Sequence, residues 1–308
     1  MNSVITASSY VLVHTPDMVL HNGTTITTEK IVNPESEYLK ELPKHIRKYE
    51  DVIAYAPNQT YIGNMTPEEL AAMPQPWYDT KVEAKREGKF GEILPQDEFY
   101  MLMQICDVFD LLVLEKGFAA ATKEKFVKNP AVIPSMVEKI KDGVDAAEIE
   151  ALVNDEHAEG LYMDGKLVGA VKRAHDVDTN LTAHVMHENL VSKASSVLAL
   201  IHLVKNSGID AGEIEYVIDC SEEACGDMNQ RGGGNFAKAA AEIAGLTGAS
   251  GEDVRGFCAA PTHAMITAAA LVKAGVYKHV AVTAGGCTAK LGMNSKDHVK
   301  KGLPALED

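Results

Sequence analysis

The sequence predicts an α/β fold: a mostly parallel sheet with helices on both faces, and a mainly helical insertion after the first strand. Two observations carry this. From about residue 156 onward, short apolar runs of strand length alternate with longer stretches of helical period, as expected of strands joined by crossover helices. Composition also changes near residue 155. Ten of the 12 prolines lie at or before Pro134 and none between Pro134 and Pro261, while 18 of the 24 glycines lie from Gly160 onward. Residues 1–30 are therefore assigned to the first-strand region, 31–155 to the helical insertion and 156–308 to the α/β body.

The elements follow in chain order. Ser9 to His14 is a short apolar run stopped by Thr15-Pro16 and reads as a buried strand. From Glu35 to about Asp155 the signals are mostly helical, with breaks at Pro57, Pro67, Pro74, Pro76 and Pro95. The sharpest helix signal runs from Asp97 to Leu114, with Met101, Ile105, Val108, Phe109 and Leu112 on one face. Between Gly160 and Val171, the central Asp164-Gly165 between apolar runs predicts a hairpin. Asn189 to Asn206 has helical spacing and ends at Gly208. Asp210 and Glu213 form a one-turn capping box ahead of a strand at Tyr216–Asp219. Asn235 to Ala244 reads as a helix, Val254 to Phe257 as a short strand, Thr262 to Ala274 as an alanine-rich helix, and His279 to Ala284 as a strand.

With 46% hydrophobic and 24% charged residues, the chain has the profile of a globular protein. Its net charge of −15 argues against nucleic-acid or anionic-membrane partners, because phosphate backbones need a basic surface. No run approaches ~18 uninterrupted apolar residues, so no membrane span is expected, and residues 1–10 lack the pattern of a secretory signal. Five cysteines, an odd number, suggest no disulfide framework and a reduced, cytoplasmic setting.

Cys258 is the most informative residue. It stands between a short strand and a helix, in Gly256-Phe-Cys-Ala-Ala-Pro-Thr-His263. Unpaired backbone N–H groups and the helix dipole favour the thiolate there, and Pro261 suits a first helical turn. Two readings stand: a nucleophile, or a buried structural cysteine. His263 serves as a base only if the helix turns it back toward the thiol. Cys220 and Cys225, with no further pair or nearby histidine, do not complete a metal set, and no metal or cofactor is expected. Arg231, Gly232, Gly233, Gly234 and Asn235 run into a helix and suit either an anion or a packing turn. His175, His184, His187 and Glu188 lie close together, with metal binding and capping both open. Cys287 follows Gly285-Gly286, a pair that suggests close backbone approach at a strand end.

The strings around these residues resemble one family. Cys-Ala-Ala at a helix start, an alanine helix closing at Gly275 and a strand closing in Ala-Gly-Gly286 resemble the first half of β-ketoacyl synthase III and other thiolase-fold enzymes, over roughly residues 160 to 290. A closer resemblance covers nearly the whole chain. It rests on Asn33 to Pro43, Gln104 to Asp110, His175 to Asp178, His187 to Lys193, Cys220 to Lys238, Phe257 to His263 and Ala284 to Asn294. These are similar to the larger, synthase-like subunit of component C of the glycine, sarcosine and betaine reductase complexes.

The resemblance implies acetyl-group transfer through a cysteine thioester. Component C takes a carboxymethyl group from the selenium of selenoprotein A and releases acetyl phosphate, so phosphate is a co-substrate. Cys258 would be the nucleophile, with Gly285 and Gly286 stabilising the oxyanion and Arg231 to Asn235 a weaker phosphate or pocket element. A phosphate-acyltransferase-like second subunit is the implied partner, and a homo-oligomer is possible. Thiolase-fold enzymes pair two similar halves, the second bringing a histidine. The sequence stops at Asp308, where that half is expected to begin, so the base is expected from elsewhere. The helix from Thr262 to Ala274, uncharged until Lys273, should then be uncovered. The alternative is a non-catalytic subunit that docks the acyltransferase-like partner.

Overall fold

A computed structural model describes residues 2–221, 235–292 and 294–308. Strand β1 (Leu12–His14) pairs in parallel with β2 (Ile93–Pro95). Strands β3 (Leu112–Leu114), β4 (Ala158–Met163) and β5 (Lys166–Lys172) form an antiparallel sheet in the order β3-β5-β4. Strands β6 (Tyr216–Asp219), β7 (Ser250–Asp253) and β8 (Val280–Thr283) form a parallel sheet in the order β7-β6-β8. The helices used below are α1 (Thr24–Val32), α2 (Gln96–Cys106), α3 (Lys116–Phe126), α4 (Ala146–Asn154), α5 (Ala183–Ser207), α6 (Phe236–Ile243) and α7 (Ala260–Ala274).

The parallel sheet alternates its side chains between two cores, as the two-residue repeat of a strand requires. Val217 and Ala281 face the large core, shared with α5 and α6. Ile218 and Cys220 face a small core closed by Ala260 and Ala264 of α7. Helix α5 is the spine of the molecule. Thr182 caps its start by accepting from the Val185 N–H, and Gly208 ends it at φ +66°. Such a left-handed terminus costs glycine least. Leu190, Ala194 and Val197 on α5 are fully buried. Burying a leucine of that kind contributes about 1.5–3 kcal/mol.

The β4–β5 hairpin turns at Asp164 (φ +52°) and Gly165 (φ +72°), the two left-handed residues that its Asp-Gly predicts. Three expectations need correction. The helix expected to reach Leu114 ends at Cys106, and Val108 and Phe109 are exposed. The Asp107 carboxylate accepts from the Phe109 and Leu112 N–H groups and so builds a turn, and Asp110 at φ +57° completes the break before β3. Apolar spacing alone could not show that competition. The strand expected at Val254–Phe257 lies four residues earlier, at Ser250–Asp253. That edge strand has no apolar run to reveal it. The first strand is shorter than expected, at Leu12–His14.

Residues 31–155 carry most of the short helices, but they share the main core. They supply β2 to β1 and β3 to the hairpin sheet, and α2 packs directly on α5. Arg86 links the Glu92 and Glu98 carboxylates, and His202 of α5 and Asn129 bond to Glu92 from the other side.

Candidate active site

In open parallel sheets, ligands gather outside the carboxyl ends of the strands. Here those ends are tied together by one buried carboxylate. Asp219, the last residue of β6, is fully buried. Its Oδ1 accepts from the Ser221 hydroxyl at 2.8 Å, and its Oδ2 accepts from Arg255 Nη1 at 2.7 Å. Arg255 also donates to the Ser221 carbonyl at 3.0 Å. The Ser221 hydroxyl in turn accepts from the Gly285 N–H at 2.7 Å. The loops after β6, β7 and β8 are thereby fixed to each other. Burial pushes the Asp219 carboxyl above its ordinary value, while the Arg255 and Ser221 hydrogen bonds pull the other way. Sequence patterning read Arg255 as part of a strand and missed this role.

Cys258 lies three residues beyond Arg255, in a 3-10 turn (Phe257–Ala259) that leads into α7. It therefore lies two residues ahead of the helix proper. It is exposed, whereas Cys106, Cys220 and Cys287 are buried. Burial pushes the Cys106 thiol up to about 12 and the Cys220 thiol up to about 11, so neither is poised to ionise near neutrality. Phe257, immediately before the thiol, sits at φ +48° and is 78% exposed. A left-handed conformation costs a non-glycine residue about 1–2 kcal/mol, and such strain often sits beside functional groups.

His263 turns its ring toward the turn's entrance. A Cβ built on Gly256 would lie 3.3 Å from its Nδ1. No hydrogen bond joins His263 to Cys258 among the described residues, so no base on the thiol is in place. Gly285 is required for close approach, since a Cβ there would lie 1.7 Å from the Ser192 carbonyl oxygen. The N–H groups of Gly285 and Gly286 are not open to an oxyanion in this arrangement. The first donates to Ser221, and the second donates to the Ser195 hydroxyl at 3.0 Å.

Arg231, Gly232, Gly233 and Gly234 lie outside the described residues, as does Cys225. Asn235 caps α6: its Oδ1 accepts from the Lys238 N–H at 2.7 Å, and its amide donates to the Gly251 carbonyl at 2.6 Å. No group of three or more His, Cys, Asp or Glu suited to a metal occurs among the described residues.

His184, His187 and Glu188 instead join an ionic cluster at the start of α5. Its other members, Glu159 of β4 and the fully buried Lys290, were missed, because nothing local in sequence marks them. Glu159 contacts His187 Nδ1 at 2.7 Å and His184 Nδ1 at 3.3 Å, and Lys290 Nζ lies 3.4 Å from Glu159. Hydrogen bonds to Glu159 and then Glu188 hold His184 up to about 9. Burial pushes Lys290 and His187 down.

Helix α7 covers one face of the sheet with Ala260, Ala264, Ala268 and Leu271. Its other face is open: Met265 and Ile266 are exposed, as are Phe257 before it and Val276 after it. Phe257–Ala274, though not an uninterrupted apolar run, is long and apolar enough to cross a membrane by length and composition alone, with mean hydropathy 1.2 and 11% of it buried.

Fold and site together define an α/β protein with an exposed thiol at the carboxyl edge of a parallel sheet. No protein-family model matches the chain. In an alignment of 308 positions that covers 99% of its length, it is 63% identical to the glycine/sarcosine/betaine reductase complex component C subunit beta of Peptoclostridium acidaminophilum. It spans 60% of that protein's length. The resemblance seen in the separate strings is thus found along the whole chain. The priming β-ketosynthase of the R1128 polyketide pathway is 27% identical over 29% of this chain and 25% of its own, with a TM-score of 0.26, too little to bear on the fold.

Proposed function

We propose that this chain handles the acetyl group in a reductase component C, with Cys258 as the residue that forms the thioester, on a thiolase-like α/β half. The observation that carries this reading is the exposed Cys258 at the carboxyl edge of the parallel sheet, directly ahead of α7. It is joined to the identity with a component C subunit beta. In this reading the acyl carbon comes from the carboxymethyl group on the selenium of a selenoprotein A-type carrier. The carbon–selenium bond breaks as a second thiol takes the selenium into a selenide–sulfide, and this oxidation supplies the two electrons that make the methyl group. The Cys258 sulfur bonds to the carboxyl carbon as one carboxylate oxygen leaves as water. A phosphate oxygen then attacks that carbon, the carbon–sulfur bond breaks, and acetyl phosphate leaves with the sulfur returned as thiolate. The setting is a reduced cytoplasm, and a phosphate-acyltransferase-like subunit is the partner.

The committed N–H groups of Gly285 and Gly286 and the orientation of His263 fit a site completed by further polypeptide. Oxyanion donation by the two glycines requires Ser221 and Ser195 to release them. The open face of α7 also supports a second reading, a docking subunit without chemistry of its own. Brief iodoacetamide labelling near neutral pH, followed by peptide mapping, tests the thiol. Cys258 should be alkylated at least tenfold faster than Cys106, Cys220 or Cys287. Preferential labelling of Cys287 or Cys106 would remove Cys258 from the mechanism.

A further inference from the structure

The backbone that carries Cys258 is held in a conformation its own side chains do not repay. Phe257, one residue before the thiol, sits at φ +48° although its ring is 78% exposed. A ring in solvent gains no packing that could offset a left-handed backbone, so the flanking residues must impose it. On the C-terminal side the 3-10 turn closes on itself, the Ala259 N–H donating to the Gly256 carbonyl at 3.1 Å, and runs on into α7. On the N-terminal side the last main-chain anchor is the Val254 N–H, which donates to the Asp219 carbonyl at 2.8 Å. β7 is an edge strand, paired with β6 alone among the described residues, so no further strand steadies the chain beyond Asp253.

The anchor past Val254 is the Arg255 side chain. Its Nη1 makes both close bonds, to the Asp219 carboxylate at 2.7 Å and to the Ser221 carbonyl at 3.0 Å. Its Nη2 lies 3.4 Å from the Asp253 carboxylate, and its Cζ sits 5.9 Å from the centre of the Phe236 ring. Neither carboxylate is free to follow the arginine. Asp219 also accepts from the Ser196 hydroxyl of α5 at 3.4 Å and from the Ser221 hydroxyl at 2.8 Å. Asp253 accepts from the Phe236 and Ala237 N–H groups at the start of α6, at 3.0 and 2.8 Å. The guanidinium is thus braced between two carboxylates that are fixed to different helices, and charge-assisted bonds of this kind hold one geometry.

We infer that Arg255 is a positioning residue for Cys258: braced on Asp219 and Asp253, it imposes the left-handed Phe257 and so keeps the thiol exposed ahead of α7. Released from that brace, Phe257 returns to the right-handed region, the 3-10 turn merges with α7 and the thiol turns with it. The bearing of this on catalysis rests on the reading of Cys258 as the acyl-carrying residue; its effect on the thiol's position does not.

The test is the rate at which iodoacetamide alkylates Cys258 in the folded 308-residue chain, read by peptide mapping. Arg255→Gln should slow it about tenfold, the scale set by the cost of one left-handed residue. Arg255→Lys should bring it back to within about threefold of the parent, because a single nitrogen makes both close bonds. Phe257→Gly added to Arg255→Gln should also restore it, since glycine takes the left-handed conformation at no steric cost. A general loosening of the fold would not be repaired in that way. Where Arg255→Gln does not fold, Asp219→Asn keeps the shape of the carboxyl without its charge and should slow alkylation about threefold. Rates within about twofold of the parent in Arg255→Gln and Asp219→Asn, or a loss that Phe257→Gly leaves unrepaired, would overturn the inference. An alkylation rate that depends on Arg255 in a chain whose Cys258 forms no acetyl thioester would support the positioning role and remove only the acyl reading.

Discussion

Helices α5 and α7 lie on opposite faces of the same parallel sheet, and both are apolar along most of their length. They differ in what covers them. Fourteen of the 25 residues of α5 are buried, enclosed by α2, α6 and the sheets. Only Ala260 and Ala264 of the 15 in α7 are buried. One helix is finished as a core element, and the other presents Met265 and Ile266 to the surroundings. The comparison teaches that apolar patterning specifies a buried helix without saying which molecule buries it. Exposed apolar side chains gathered on one helix face mark a contact face.

The comparison can be broken by substitution. Leu190→Ala on α5 should cost about 2–5 kcal/mol of unfolding free energy, the range for a leucine truncated in a packed core. Ile266→Ser on α7 should change stability by no more than about 0.5 kcal/mol, yet it should lower self-association seen by light scattering. Urea unfolding of the two variants gives the contrast directly. Equal losses would mean that α7 is covered in the isolated chain.

A smaller effect sharpens the account of how α5 is anchored. Glu159 and Glu188 hold His184 up to about 9, above its ordinary 6.5. A group raised in the folded state gives its full stabilisation below pH 6.5 and loses it as pH rises through about 9. Thermal midpoints should therefore fall between pH 6.5 and 9, and His184→Gln should flatten that fall. Identical slopes in the parent and His184→Gln would show that the cluster does not hold the start of α5.

Much of the fold was legible because local rules and tertiary structure agree. The Asp164-Gly165 turn, the Gly208 terminus of α5 and the strand at Tyr216–Asp219 all follow from signals within a few residues. Elements failed to show where a polar side chain competes with spacing, as Asp107 does in ending α2, or where an edge strand lacks apolar residues, as Ser250–Asp253 does. The place of Cys258 ahead of a helix and the close approach at Gly285 were legible, but the exposure of the thiol was not, since the sequence left a buried cysteine equally open. The Asp219–Arg255–Ser221 tie and the Glu159–Lys290 cluster were not, because their members come from separate elements that only the fold brings together. The same limit explains Gly285 and Gly286: sequence places them at a strand end but does not reveal that Ser221 and Ser195 already occupy their N–H groups.

The central claim is that Cys258 carries the acyl group. The most direct measurement is mass-spectrometric mapping of the chain after incubation with acetyl phosphate and the phosphate-acyltransferase-like subunit. The account predicts an acetyl thioester on Cys258, removed by hydroxylamine and absent from Cys258→Ser, which should retain binding to the partner. Acetylation located on another cysteine of this chain, or acetyl-phosphate formation by the reconstituted complex undiminished in Cys258→Ser, would contradict it.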